Sequence, residues 1–234
     1  MLMDRETETW RAALAAYRYP VDLREYKFRA DHQGWFAITM APGSRDDTTA
    51  FESRFRENAP ARLEAWFEVI FWKLASQKLI RNGTTHSMAI DLHGSSTAEQ
   101  LWRACKDYTQ AGSLAEARTR FEVLHRLFSL RSRSIATVAT FPAFLDPDRF
   151  PMVDTRIAKW VGRTMDAHNR VDPLGPQLIS AKSMNVKGAV LTMSDFDFMC
   201  AWTHWCRHAA TKLTDRSSGG FVCVAGKGRR DGSV

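Results

Sequence analysis

The sequence predicts a mainly α protein folded as a multi-helix bundle. Apolar residues recur at spacings of three and four along most of the chain, and most of these runs follow a residue type that commonly begins a helix. No pattern of strands alternating with helices is seen. With 234 residues, 44% of them hydrophobic, the chain can bury a sizeable core and suits one domain of two lobes or two small domains.

Three elements are predicted in the first third of the chain. Residues 5–17 have the pattern of an N-terminal helix, and residues 27–40 are ambiguous but compatible with a short strand. Pro60, which follows Asn58, is placed as a first-turn proline should be and predicts a helix start. The predicted helix has a wide apolar stripe made of Leu63, Trp66, Phe67, Ile70, Phe71 and Leu74.

Two capping boxes predict the next helices. Ser96 with Glu99 stands before an apolar run, and Ser113 with Glu116 stands before another. In each pair the Ser hydroxyl is expected to accept a hydrogen bond from the backbone N–H of the Glu, and the Glu carboxylate is expected to accept one from the backbone N–H of the Ser. The second helix has one apolar face, formed by Phe121, Leu124 and Phe128.

Two long helices are predicted in the last third. Asp154 precedes an amphipathic run, so its carboxylate is expected at or near a helix N-terminus. Ser194 is expected to begin the last long helix, with Phe198, Trp202, Trp205 and Ala209 facing inward. Residues 216–234 form a basic, Gly-rich tail that we expect to be mobile.

The charge is concentrated in the second half of the chain. Residues 1–117 hold 15 basic and 16 acidic side chains, whereas residues 118–234 hold 18 basic and 10 acidic ones. A basic half beside a neutral half indicates a polyanionic partner, most simply nucleic acid. The alternative is a soluble protein whose isoelectric point happens to be high.

Several classes of protein find no support in the sequence. Charged residues interrupt every apolar run, so no membrane span is expected, and the acidic N-terminus does not fit a signal peptide. The four cysteines match neither a zinc ribbon nor a dense disulfide pattern, so we expect reduced thiols, no metal and no cofactor. His204 and His208 share a helix face but lack the Glu that a metalloprotease needs beside them.

Residues 129–165 carry the pattern with the clearest chemical meaning. They read SLRSRSIATVATFPAFLDPDRFPMVDTRIAKWVGRTM, which is a turn flanked by Arg, an apolar helix, a Pro-bounded loop and an Asp at the start of a second helix. In this arrangement, and in the motif Val153-Asp154-Thr155, the chain resembles the helix-hairpin-helix superfamily of DNA glycosylases. Residues 66–82, WFEVIFWKLASQKLIRN, are similar to the family's early helix, which ends in Ser-Gln and whose turn reaches the DNA lesion.

More specifically, the chain resembles a bacterial branch of 8-oxoguanine glycosylase-like proteins. The similarity covers roughly residues 60–215 and includes the motifs Trp72-Lys73-Leu74, Phe150-Pro151, Asp154-Thr155-Arg156 and Trp205-Cys206-Arg207. It implies a two-lobed bundle with a helix-hairpin-helix-like element, in a single domain over residues 1–215. It further implies a cytoplasmic, nucleoid-associated monomer that binds double-stranded DNA with a damaged or modified base and needs no protein partner.

The resemblance and elementary chemistry together select Asp154 as the catalytic residue. Breaking an N-glycosidic bond builds positive charge on the sugar, and a nearby carboxylate can stabilise that charge and orient or deprotonate the attacking water. The nucleotide must first be flipped out of the duplex. The alternative is that Asp154 only caps its helix, and the two roles are compatible.

The predicted hairpin departs from the family in two ways. Residues 134–137 lack the Lys that bifunctional members use as a nucleophile, so we expect a monofunctional enzyme that leaves an abasic site. The turn also lacks the family's glycines and reads Arg131-Ser132-Arg133-Ser134, whose hydroxyl and guanidinium groups are expected to bind phosphate instead. The alternative is a solvated basic turn.

The remaining site assignments follow from the resemblance. Gln77 and Asn82 are expected to fill the gap left by the flipped base or to contact its partner base, unless they form an ordinary helix end. Arg156 and Lys159 are expected to reach the DNA backbone, although Arg156 could instead pair with a nearby acidic residue. A base pocket is expected from Phe141, Phe144 and Trp160, which could alternatively belong to the core.

The C-terminal residues differ from the ending typical of this branch, a segment of the type WRARDVEMA. This chain ends in CVAGKGRRDGSV. With permitted codons, the same nucleotides read one position out of frame encode VWRARDVEMAVF. We therefore hypothesise a frameshift within the tail, and a coding sequence that lacks those codons would refute it.

Overall fold

The computed structural model of the protein describes residues 25–29, 35–39, 48–75, 96–128, 134–185 and 190–214. These residues form a mainly helical fold, as the sequence predicts. The strands are β1 (Glu25–Arg29) and β2 (Trp35–Thr39). The α-helices are α1 (Thr48–Asn58), α2 (Leu63–Ala75), α3 (Ala98–Thr109), α4 (Leu114–Leu127), α5 (Ile135–Val138), α6 (Thr140–Leu145), α7 (Thr155–Val171) and α8 (Phe196–Thr214). The predicted helix over residues 5–17 and the tail over residues 216–234 lie outside the described ranges.

The ambiguous segment 27–40 contains strand structure. β1 and β2 pair antiparallel, with Glu25 opposite Thr39 and Arg29 opposite Trp35. The segment therefore contributes to two strands rather than one, and the first of them begins before residue 27.

The predicted helix start at Pro60 is wrong by three residues. Pro60 lies in a turn, and α2 begins at Leu63. Asn58, read as the residue before that helix, is the last residue of α1, which the sequence did not reveal. The turn is closed by backbone hydrogen bonds, and the buried indole of Trp66 donates to Ala59 O at 2.9 Å. The turn therefore fixes how α1 packs on α2.

The capping box before α3 lies one residue later than predicted. Thr97, not Ser96, is the N-cap, and it exchanges hydrogen bonds with Gln100. Ser96 is buried and donates instead to Leu127 O, at 2.8 Å, at the end of α4. The predicted N-cap at Ser113 is confirmed, since its hydroxyl accepts from Glu116 N. The other half of that box is not formed as predicted, because the Glu116 carboxylate accepts from Gly112 N rather than from Ser113 N.

The last long helix is preceded by a short 3-10 turn, Met193–Asp195, so Ser194 is not its first residue. Asp195 caps that turn, because its carboxylate accepts from Thr192 N at 2.9 Å, while Asp195 N donates to the backbone carbonyl of Thr192 at 2.8 Å. Within α8, Phe198 and Trp202 are buried, while Trp205 and Ala209 are half-buried.

A single contiguous core joins the described helices. Part of it is a set of aromatic rings in mutual contact, from α1, α2, α6 and the C-cap of α4, comprising Phe51, Phe55, Trp66, Trp72, Phe128, Phe141 and Phe144. Edge-to-face and offset contacts of this kind add to the free energy gained by burying apolar surface. The core thus fixes the helices on which the candidate site is built. The division of the protein into two lobes stays a prediction.

The buried carboxylate of Asp195 stabilises the fold through hydrogen bonds whose strength depends on pH. It is 1% exposed, and its carboxylate accepts hydrogen bonds from Ser183 N, Ser183 Oγ and Thr192 N at 3.0, 2.5 and 2.9 Å. Burial by itself raises the pKa of Asp195, but these hydrogen bonds outweigh it and hold the pKa below its ordinary value. The ionised carboxylate therefore joins the segment around residue 183 to the start of α8.

We expect Asp195→Ala to lower the free energy of unfolding by about 2 kcal/mol at neutral pH, because hydrogen bonds to a charged group are lost. A lowered folded-state pKa contributes stability above the unfolded value of about 4 and loses it as the pH falls. The difference between variant and wild type should therefore shrink below pH 4 in urea titrations. Asp166→Ala, at an exposed acid of α7, is the control. A difference that persists unchanged at pH 2 would contradict this account.

Candidate functional site

The candidate site begins with Asp154, which is the N-cap of α7 as the sequence predicts. Its Oδ1 atom accepts hydrogen bonds from Arg156 N and Ile157 N, both at 2.8 Å. Within the described part of the chain, Oδ2 accepts no hydrogen bond, and the side chain is half-buried. One carboxylate oxygen therefore holds the helix while the other stays available.

Two long-range hydrogen bonds position the residues just before Asp154. The indole of Trp202, in α8, donates to Met152 O at 3.0 Å. Lys73 Nζ, in α2, donates to Val153 O at 3.1 Å. The side chain of Val153 is itself 1% exposed. Two helices distant in sequence thus fix the backbone from which the carboxylate projects.

Lys73 is the residue that sequence reasoning missed. The sequence shows it only as part of a Trp-Lys-Leu motif, because nothing local links residue 73 to residue 154. Loss of hydration lowers the pKa of Lys73 to about 8, Asp154 acts to raise it, and Arg156 acts to lower it further. The structure therefore places an amine that titrates near neutral pH beside the candidate carboxylate.

The exposed face of α7 is basic. Arg156, Lys159, Arg163 and Arg170 follow at helical spacing and are all exposed. Asp166 is the one acidic side chain of this helix. The two residues predicted from the sequence, Arg156 and Lys159, thus belong to a longer stripe that starts beside Asp154, and Arg163 and Arg170 could have been found from the same spacing.

Trp160, in α7, contacts two indole rings of α8 and one imidazole ring of its own helix. Its ring centroid is 6.0 Å from those of Trp202 and Trp205 and 5.1 Å from that of His168. The side chain is half-buried, so part of its surface meets solvent. Its role in stacking on a base stays a prediction.

The other two base-pocket predictions are corrected by the structure. Phe141 and Phe144 are 0% and 1% exposed, with Phe141 stacked on Phe128 at 4.7 Å and Phe144 edge-on to Phe51 at 5.1 Å. Apolar residues in α5 and α6 point into the shared core, which leaves these rings no free face for a base. The alternative weighed for them, membership of the core, is the one observed.

The predicted hairpin turn is described only at its end. Ser134 is the N-cap of α5, and its hydroxyl makes no capping hydrogen bond. Arg131, Ser132 and Arg133 lie outside the described residues, as do Gln77 and Asn82. Their DNA-binding roles stay predictions, and so does the hairpin element itself.

The described residues show neither a metal-binding cluster nor a membrane-spanning helix. These contain no group of three His, Cys, Asp or Glu side chains arranged to hold a metal ion. None of their helices is both long enough and apolar enough to cross a bilayer.

No family model, curated protein or solved structure matches the chain.

Proposed function

We propose that this protein is a monofunctional DNA glycosylase. It flips a damaged or modified base out of the duplex, hydrolyses the N-glycosidic bond with the help of Asp154 and leaves an abasic site. The observation that carries the proposal is the half-buried carboxylate of Asp154, which lies at the start of a basic helix face and has one oxygen that accepts no hydrogen bond in the described structure.

The basic stripe of α7 supports the DNA-binding part of the proposal. Arg156, Lys159 and Arg163 are exposed cations that suit successive backbone phosphates. The N-terminus of a helix of 17 residues also attracts anions. A duplex bound along this stripe would bring a sugar close to the start of α7.

The chemical part rests on what Asp154 does in the transition state. As the base departs, positive charge develops on the sugar, and an ionised carboxylate beside it lowers the energy of that state more than that of the bound substrate. Because Oδ1 is held by two backbone N–H groups, the carboxylate needs no reorganisation when the charge appears.

A second candidate is a noncatalytic DNA-binding module. The cap hydrogen bonds of Asp154 favour it, because they give the residue a sufficient structural role without any catalysis. A helical protein–protein interaction domain is a further alternative. Duplex binding that weakens steeply with added salt would exclude that last reading.

We expect the purified protein to release a free base from at least one modified duplex. The panel should contain oxidised guanine, alkylated purines and bulky modified pyrimidines of the kind found in phage DNA, with released base measured by mass spectrometry. The product should be cleaved by alkali but not spontaneously, and borohydride should trap no covalent complex. Activity on phage-type bases would indicate antiviral defence, activity on damaged bases would indicate repair, and binding without release would favour the noncatalytic module.

A further inference from the structure

The amine of Lys73 is placed to act on the same reaction as Asp154. Its Nζ donates to the carbonyl of Val153, the residue that directly precedes Asp154. The side chain is half-buried, so the protein holds it in place. A group so placed can meet a water molecule that approaches the sugar above Asp154.

Burial, more than the surrounding charges, brings the pKa of the Lys73 amine closer to neutral pH. In the described structure, the charged groups that act on it are Asp154 and Arg156, both at the start of α7. Loss of hydration is the largest influence and lowers the pKa of Lys73 to about 8. A group whose pKa lies near the working pH is well matched to general-base catalysis.

Asp154 is less free to serve as that base. Its Oδ1 atom already accepts two backbone hydrogen bonds, and its Oδ2 atom is the one left to face the developing cation. A carboxylate that accepts the water's proton loses the negative charge that stabilises the cation. Separate groups for the two tasks avoid this conflict.

We propose that Lys73 is the general base that accepts a proton from the attacking water, while Asp154 stays ionised and stabilises the sugar cation. This inference rests on the glycosylase function proposed above. The water oxygen bonds to the anomeric carbon, and its proton passes to the neutral amine of Lys73. The bond to the base breaks, and its electron pair leaves with the base, which is protonated from solvent. The Lys73 ammonium then returns its proton to solvent.

The pH dependence of base release tests this role. Under single-turnover conditions the wild-type rate should rise about tenfold per pH unit below pH 8 and level off above it, because only the neutral amine accepts a proton. At pH 9, Lys73→Met should be about 100-fold slower than wild type and should have lost the rise. Lys73→Arg keeps a donor for Val153 O but cannot accept a proton, so it should be equally slow.

The two Lys73 variants distinguish an amine that accepts a proton from an ammonium that acts only through its positive charge. If the ammonium only repelled the sugar cation, the uncharged Lys73→Met variant would match the wild-type rate at pH 9, and that result would overturn the proposal. Lys106→Met, at an exposed lysine of α3, is the matched control and should retain the wild-type profile. Release of base with no effect of either Lys73 variant refutes only the role of Lys73, whereas absence of release by the wild type refutes the glycosylase function.

A direct titration needs no substrate. The side-chain resonances of Lys73, followed by NMR in the intact protein, should titrate near pH 8, and Asp154→Asn should shift the titration to lower pH because the favourable charge is removed. Titration of Lys73 near the ordinary lysine value of about 10.4 would overturn the proposal.

Discussion

Replacing Asp154 by Asn is expected to slow base release by about 100- to 1,000-fold while leaving the fold intact. Asn caps a helix about as well as Asp, so the hydrogen bonds to Arg156 N and Ile157 N should persist. What is lost is the negative charge beside the sugar. Single-turnover release of base, measured with circular dichroism and duplex affinity on the same samples, checks this expectation.

A second variant shows whether charge or geometry is responsible. Asp154→Ser also retains a good N-cap without a charge, and it should be as slow as Asp154→Asn. If both variants release base at the wild-type rate, Asp154 is a structural cap alone and the noncatalytic reading gains support. If duplex affinity falls together with activity, the carboxylate acts in binding rather than in the chemical step.

Phe141→Ala is expected to lower the free energy of unfolding by about 3–5 kcal/mol. The ring is 0% exposed and lies 4.7 Å from the ring of Phe128 and 4.8 Å from that of Trp66, measured between centroids. Truncation removes these contacts and leaves a cavity that the surrounding helices can fill only in part. Urea unfolding followed by tryptophan fluorescence measures the loss.

The same variant decides between the two roles considered for this ring. Val123→Ala, at a side chain that is 50% exposed on α4, should change stability by no more than about 0.5 kcal/mol and serves as the control. A Phe141→Ala protein that unfolds like the wild type but no longer releases base would restore the stacking role and contradict the structure-based assignment.

Local signals explain what the sequence predicted well. The N-cap positions Ser113 and Asp154 depend on residues within three positions of the cap, so they are visible in the sequence. The Ser96 prediction failed because Thr97 offers an equally good hydroxyl, and the choice between them depends on a contact with distant Leu127. Helix α1 escaped notice because its apolar signal is confined to Phe51 and Phe55, separated by a single helical turn.

The candidate site was predictable only in part, for a physical reason. The acidic cap and the first cations of the basic face can be read from helical spacing. Which aromatic side chains enter the core and which reach solvent depends on how helices pack, so Phe141 and Trp160 looked alike in the sequence. The approach of Lys73 to Val153 joins residues 80 positions apart and left no local pattern to read.

The two hydrogen bonds that hold the Met152–Val153 backbone link the site to the completion of folding. The donor Lys73 lies 80 positions before its acceptor Val153, and the donor Trp202 lies 50 positions after its acceptor Met152. Contacts of this range require large loops to be closed, which costs conformational entropy. A nascent or clipped chain that already contains α7 but lacks α8 would therefore hold this backbone by one of its two long-range hydrogen bonds only. If the proposed glycosylase function is right, such a fragment should release base more slowly than the whole chain does.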